Sequence, residues 1–273
     1  MHSVPEPAAV VRWAARVEYV GAAYAGWQRL SHNRSVQGEL ERALSKIADH
    51  PVEVMAAGRT DAGVHGLGQI VHFDSPAPRN ELAWMLGGNI HLPDDISLRW
   101  ARPVSADFHA RYKAVARRYR YVFLNSRARS ALLEGRVGFW PRHLDESRMH
   151  AAAQALRGER DFSAFRDWHS ESRSAFRNLS AIAVWRHQEF VVMDIRANAF
   201  LHHMVRNIAG TLAEVGQGKR PVEWVAEVLE GRQRARAGMT APSGGLYFVG
   251  PEYPAEFGLP PPPEPWFPAT IAG

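Results

Sequence analysis

Glu53-Val54-Met55-Ala56-Ala57-Gly58-Arg59-Thr60-Asp61-Ala62-Gly63-Val64-His65-Gly66-Leu67-Gly68-Gln69-Ile70-Val71-His72-Phe73 reads as a strand, a glycine-rich loop and a second strand. The first strand covers 53–57 and the second 69–73, since β-branched and apolar residues bound the polar stretch. Glycines at 58, 63 and 66 permit tight turning and close approach of a ligand to the backbone. Asp61 stands at the centre with Arg59 two positions before it. A neighbouring cation favours the ionised carboxylate, the form a nucleophile requires. The same residues would also suit an ordinary turn in which Asp caps the next segment. The stretch is neither a phosphate-binding Gly-Lys-Ser/Thr loop nor a dinucleotide fingerprint.

Outward from this loop, strands and helices interleave. Residues 13–20 predict a strand with Val17 and Tyr19 on one face. Ser35 predicts the N-cap of a helix reaching about Asp49, with Leu40, Ala43, Leu44 and Ile47 inward. Residues 82–87 predict a further helix. A second block starts near Ala114. There, 118–124 alternates so that Tyr119, Tyr121 and Phe123 share a face. Asp145 predicts a cap for a helix with Met149, Ala152, Ala153 and Leu156 inward, ended by Gly158. A strand over 190–196, helices over 201–215 and 223–229, and a last strand over 246–249 complete the pattern. The runs are too short for a doubly wound parallel sheet, so they argue α+β with antiparallel sheets. The expected division is 10–113 and 114–258 with a hinge near 112–116. Segments 1–9 and 259–273 are expected to be flexible, the latter a proline-rich extension with no core to join.

The chain has 273 residues, 46% of them hydrophobic, enough for a sizeable core. Net charge is +5 and the pI about 9.8, which suits a polyanionic partner. Cysteine is absent, which excludes disulfides, Cys-ligated zinc, iron–sulfur clusters and thiol catalysis. No signal-peptide pattern and no uninterrupted apolar span appear, so a cytoplasmic protein away from membranes is expected. The 13 His residues raise the question of a metal. However, there is no His-Glu-x-x-His, and His202 and His203, adjacent within an expected helix, would point apart, so no metal site is expected.

Gly58 to His65 resembles the signature loop of the TruA family of tRNA pseudouridine synthases. Further segments resemble that family in the same order: Tyr19 to Arg29 with Gly26-Trp27-Gln28-Arg29, Asp107 to Arg111, Ala116 to Tyr121, Asn198 to Asn207, and Gly245-Leu246-Tyr247. The resemblance runs from about Arg16 to Pro254. It implies the pseudouridine synthase fold with a cleft between two α+β domains. It also implies isomerisation of uridine to pseudouridine at positions 38, 39 and 40 in the anticodon arm of tRNA, and a homodimer. By resemblance Asp61 is the catalytic nucleophile, Tyr119 the ring on which a flipped uracil stacks, and Arg206 the cation that holds Asp61 ionised. Without the resemblance, Tyr119 reads as a core aromatic and Arg206 as a charge on a helix.

The reaction breaks an N–C glycosidic bond, turns the base and rejoins it through carbon. Nothing is oxidised and no group is lost, so no cofactor is required. One carboxylate can begin by attacking the sugar or the base, or by removing a sugar proton. By resemblance the RNA-facing residues are Arg59, Arg79, Phe108, His109, Ala110, Arg111, Tyr112, Tyr119, Arg127, Trp140, His169, Ser170, Glu171, Ser172 and Arg173. Cations there would meet phosphates and aromatics would stack on bases. Glu171 departs from that logic, since it would repel phosphate. Two other classes fit part of the pattern. A non-catalytic RNA-binding protein explains the basic excess but not Asp61. An Asp-dependent nucleosidase would need a second carboxylate as acid, and none stands in the loop, the tyrosine strand or the arginine helix.

Overall fold

A computed structural model describes residues 9–168 and 172–265. Among the described residues the strands are β1 (Val11–Tyr19), β2 (Met55–Ala56), β3 (His65–Ser75), β4 (Ile96–Val104), β5 (Ala116–Leu124), β6 (Gly138–Phe139), β7 (Gly158–Asp161), β8 (Phe176–His187), β9 (Phe190–Ala197) and β10 (Leu246–Glu252). The α-helices are α1 (Val36–Ala48), α2 (Glu81–His91), α3 (Glu146–Ala153), α4 (Met204–Gly216) and α5 (Trp224–Gly231). The architecture is α+β. One sheet runs β4-β1-β3-β10-β5-β9-β8-β7, with β2 paired to β3 and β6 to β5.

Side-chain alternation sets the layers. On β1, Trp13, Ala15, Val17 and Tyr19 are buried with Leu40 and Leu44 of α1 and Trp84 of α2. Ala14 points to the opposite face, where it joins Ile70, Phe108 and Ala110. In the second half, Tyr121 and Phe123 of β5 and Val191, Met193 and Ile195 of β9 pack with α3, α4 and α5. The inward residues expected of α3, namely Met149, Ala152, Ala153 and Leu156, are all buried. That helix tightens into a 3-10 turn at Gln154–Leu156, and Gly158, at φ +89°, opens β7.

Capping fixes α1 at both ends. Ser35 Oγ accepts from Gly38 N at 3.3 Å, and Asp49 ends the helix in the left-handed region at φ 58°. Ser35→Ala is expected to destabilise the protein by about 1 kcal/mol. A urea-unfolding midpoint equal to native would contradict this.

β10 is the seam of the sheet. It pairs in parallel with β3 (Tyr247↔His65, Phe248↔Gly66) and antiparallel with β5 (Phe248↔Tyr119). This parallel pair is an exception within the expected antiparallel pattern, possible because β10 and β3 are joined by most of the chain and not by a hairpin. Arg117 ties the same region together. Its guanidinium donates to the carbonyls of Ala57, Arg111, Ala114 and Asn198.

A buried ion cluster lies on β5 and β9. Arg120, whose side chain is fully buried, donates to Asp194 from Nε at 3.0 Å and Nη2 at 2.9 Å. Arg118 donates to the same carboxylate at 2.8 and 3.2 Å. The Arg120 guanidinium also lies over the Trp185 ring, 5.1 Å from its centroid.

The segment after Leu259 corrects the expectation of an extension without a core. Leu259 packs against the cluster around Phe108, and Pro263 fills the space a side chain at Gly68 would need. Glu264 pairs with Arg118 at 3.1 Å. The physical reason is that Gly68 leaves a groove on β3 into which a proline ring fits. Residues 266–273 lie outside the described residues.

Candidate active site

The loop between β2 and β3 is held from several sides. Gly63 has φ +78°, and a Cβ there would lie 2.5 Å from Ser243 Oγ. Trp27 N donates to Thr60 O at 3.0 Å, so the chain around Gly26 lies directly on the loop. Tyr19 Oη and Thr60 Oγ1 share a hydrogen bond of 2.8 Å. His65 accepts from Gly21 N at Nδ1, and its Nε2 faces the carbonyls of Gly135 and Gly244. With those partners Nε2 carries the proton, and burial lowers the imidazole's proton affinity below the ordinary range. The His65 ring stacks on Tyr247 at 4.7 Å, so this histidine fixes the loop to the seam strand.

Asp61 emerges from this frame with 24% of its side chain accessible. Arg206, on the first turn of α4, places Nη1 at 3.6 Å from Asp61 Oδ2. Its Nε donates to Ala241 O at 2.8 Å, which aims the guanidinium at the loop. Tyr119 stands on β5 beside the seam. Its ring meets Phe200 edge-on at 5.0 Å and Phe248 at 4.9 Å. Burial pushes its phenol well above the usual tyrosine range, with Tyr19 and the charge of Asp61 adding to the effect. Three separate elements thus bring Asp61, Arg206 and Tyr119 to one place.

The structure also brings in residues that the sequence reading set aside. Helix α4 begins at Met204 and not at Leu201, because His203 adopts φ 59° in the left-handed region. His202 and His203 therefore do not point apart. Their rings stack with centroids 3.9 Å apart, and both face Asp61. Asp167 closes the group from the other side, with Oδ2 at 2.8 Å from His203 Nδ1. The rings do not diverge as expected because the helix starts three residues later than the pattern placed it. Asp61, His202 and His203 offer ligand atoms that all lie within 4.8 Å of one another, a spacing that could hold a metal ion. Asp167 had no local sequence signal, since it reaches the site through a loop.

The expected RNA-facing residues divide by exposure. Arg59, Arg111, Arg127 and Arg173 are exposed, and Tyr112 is 73% exposed. His109 is half-buried, its ring tilted against those of His72 and Tyr112 at 4.6 and 4.3 Å. Phe108 and Ala110, by contrast, are fully buried. Phe108 meets Tyr253 and Phe257 edge-on, each at 5.1 Å, and Ala110 O accepts from Tyr253 Oη. Their side chains support the segment from beneath and do not face solvent. Trp140 is likewise in the core, edge-on to Phe123. Arg79 is half-buried and donates to Ile47 O at 2.9 Å, near the end of α1. Ser172 Oγ is bonded to Arg177 Nη2 at 2.7 Å. His169, Ser170 and Glu171 lie outside the described residues. Trp168, 90% exposed just before them, was not anticipated.

Comparison with known proteins agrees with this geometry. The family model described as tRNA pseudouridine synthase matches residues 15–113 and 152–254. A protein of Shewanella amazonensis named tRNA pseudouridine synthase A is 54% identical over 250 residues, covering 92% of this chain and 96% of its own. Proteins of the same name from Vibrio campbellii and Shigella boydii are each 52% identical, over 92% and 93% of this chain and 95% and 94% of their own. The matched family segments carry the Asp61 loop, Tyr119 lies between them at the seam of the sheet, and the second segment carries Arg206; the chain belongs to the tRNA pseudouridine synthase family, a family of isomerases.

Proposed function

We propose that this enzyme converts uridine to pseudouridine at positions 38, 39 and 40 in the anticodon stem-loop of tRNA, with Asp61 as the catalytic nucleophile. The observation that carries the reading is the convergence of Asp61 with the Arg206 guanidinium at 3.6 Å beside the Tyr119 ring. Arg206 faces the carboxylate and limits its rotation. The uracil, turned out of its stack, lies against Tyr119. The C1′–N1 bond then breaks, C1′ bonds to C5, the C5 proton leaves, and N1 gains a proton. Electrons balance without a redox partner. Exposed Arg59, Arg111, Arg127 and Arg173 meet phosphates, with Tyr112 offering a stacking face, so the tRNA is read by shape and backbone.

In this reading residues 10–113 and 114–258 act as two domains that meet at β10. Separate apolar clusters behind β1–β3–β4 and behind β5–β8–β9 support that division. The enzyme works in the cytoplasm as a homodimer, which sedimentation at micromolar concentration tests directly. Tritium release from tRNA labelled at uridine C5 is the functional test. Release without free uracil supports the isomerase reading. Free uracil would turn it into a nucleosidase. Arg206→Ala is expected to lower kcat by roughly 100-fold, an effect of the size seen when a positioned reacting group is loosened. A near-native rate would sever Arg206 from the chemistry.

A further inference from the structure

Two stacked imidazoles lie between two carboxylates at the mouth of the Asp61 loop. On one edge, His202 Nε2 is 3.3 Å from Asp61 Oδ1 and His203 Nε2 is 3.3 Å from Asp61 Oδ2. On the other edge, His202 Nδ1 is 3.4 Å from Asp167 Oδ1 and His203 Nδ1 is 2.8 Å from Asp167 Oδ2. Each carboxylate thus offers one oxygen to each ring. The planes are 25° apart at a centroid distance of 3.9 Å. Their Nε2 vectors therefore run side by side towards Asp61. A tetrahedral ion needs ligand lone pairs that converge on one point, which stacked rings do not provide without turning. Side-by-side vectors suit a carboxylate, whose two oxygens also lie side by side.

The backbone points the same way. His203 holds φ 59°, a conformation that L-residues avoid at a cost of about 1–2 kcal/mol. That turn brings ring 203 alongside ring 202, and α4 starts immediately after it. Departures of this kind gather at functional sites. The 3.3 Å contacts are electrostatic, a few tenths longer than a strong N–H···O bond.

We propose that His202 and His203 are positioning residues for Asp61: each ring sets its Nε2 against one oxygen of the carboxylate, and Asp167, hydrogen-bonded to His203 Nδ1, fixes the pair from behind. The inference rests on Asp61 being the reacting group. It adds that the carboxylate is oriented by three groups, the two rings and Arg206. It also adds that the segment leading to residues 168–173 reaches the site through Asp167.

Glutamine places its amide nitrogen near Nε2 of a histidine, and asparagine near Nδ1. The test therefore compares His203→Gln with His203→Asn, and the same pair at 202, in steady-state tritium release. Asp61→Asn runs in parallel, and circular dichroism checks folding. The Gln variants are expected to lose less than about tenfold in kcat and the Asn variants about 100-fold, with KM for tRNA unchanged in both. Asp167→Asn is expected to lose about tenfold in kcat. Equal rates for Gln and Asn variants, or losses confined to KM, would overturn the inference while an inactive Asp61→Asn left the underlying reading intact. An active Asp61→Asn would remove the reading itself. Equal loss in Gln and Asn variants, joined by inhibition of the native enzyme by micromolar Zn²⁺ that each variant escapes, would replace the positioning role with a metal site.

Discussion

Asp61→Asn is expected to lower tritium release from C5-labelled tRNA by at least about 10³-fold, while tRNA affinity stays within about threefold of native. A thousandfold loss corresponds to about 4 kcal/mol of barrier. Asparagine keeps the shape of the side chain but cannot be the anionic nucleophile. Its amide still fits against Arg206 and the paired imidazoles, so the loop frame built by Thr60, Gly63 and His65 stays in place. Binding is expected to survive because it is spread over several exposed arginines. Filter binding and the release assay on the same preparation separate the two quantities. Parallel loss of both would show that Asp61 organises the RNA site and does not perform chemistry alone.

Asp194→Ala is the substitution with the largest expected effect on stability. The aspartate accepts from both Arg118 and Arg120, and the Arg120 side chain has no access to water. Burial already lowers the proton affinity of the Arg120 guanidinium, and Asp194 is its principal compensation. Removal of one partner of such a pair costs about 3–5 kcal/mol, because the remaining charge is stranded. At about 2–4 °C per kcal/mol, Tm should fall by roughly 10 °C. A fall below about 2 °C would mean that water or the carboxylate of Glu264 reaches Arg120 in the variant. Asp194, on β9, pairs with Arg120 of β5 and Ala183 of β8, and Arg120 alternates with the inward Tyr119 and Tyr121, so residual folded enzyme should turn over near the native rate.

Local signals carried much of this structure. Ser35 and Asp145 mark helix starts because a side-chain oxygen that caps a helix is written in the sequence beside the residues it serves. The alternation of Tyr119, Tyr121 and Phe123 marks a strand with a buried face. What escaped was non-local or depended on one dihedral angle. The pairing of β10 between β3 and β5 has no signature in residues 246–252, since any apolar strand could fill the slot. The docking of Pro263 depends on the absence of a side chain at Gly68, far away in sequence. The single left-handed angle at His203 turned two histidines from opposite directions into a stacked pair. Phe108, Ala110 and Trp140 were expected at an RNA surface by family resemblance. Only packing reveals that Phe108 sits beneath Tyr253 and Phe257.

The seam strand has a consequence for the site. Every other strand of the sheet precedes β10, yet β10 is the one that joins β3 to β5 and so sets the Asp61 loop beside Tyr119. Without residues 246–252 the sheet would lose its link between β3 and β5. The contact that sets the Asp61 loop beside Tyr119 therefore depends on one of the last strands of the chain, and a substitution that weakens β10 would loosen both halves of the site at once.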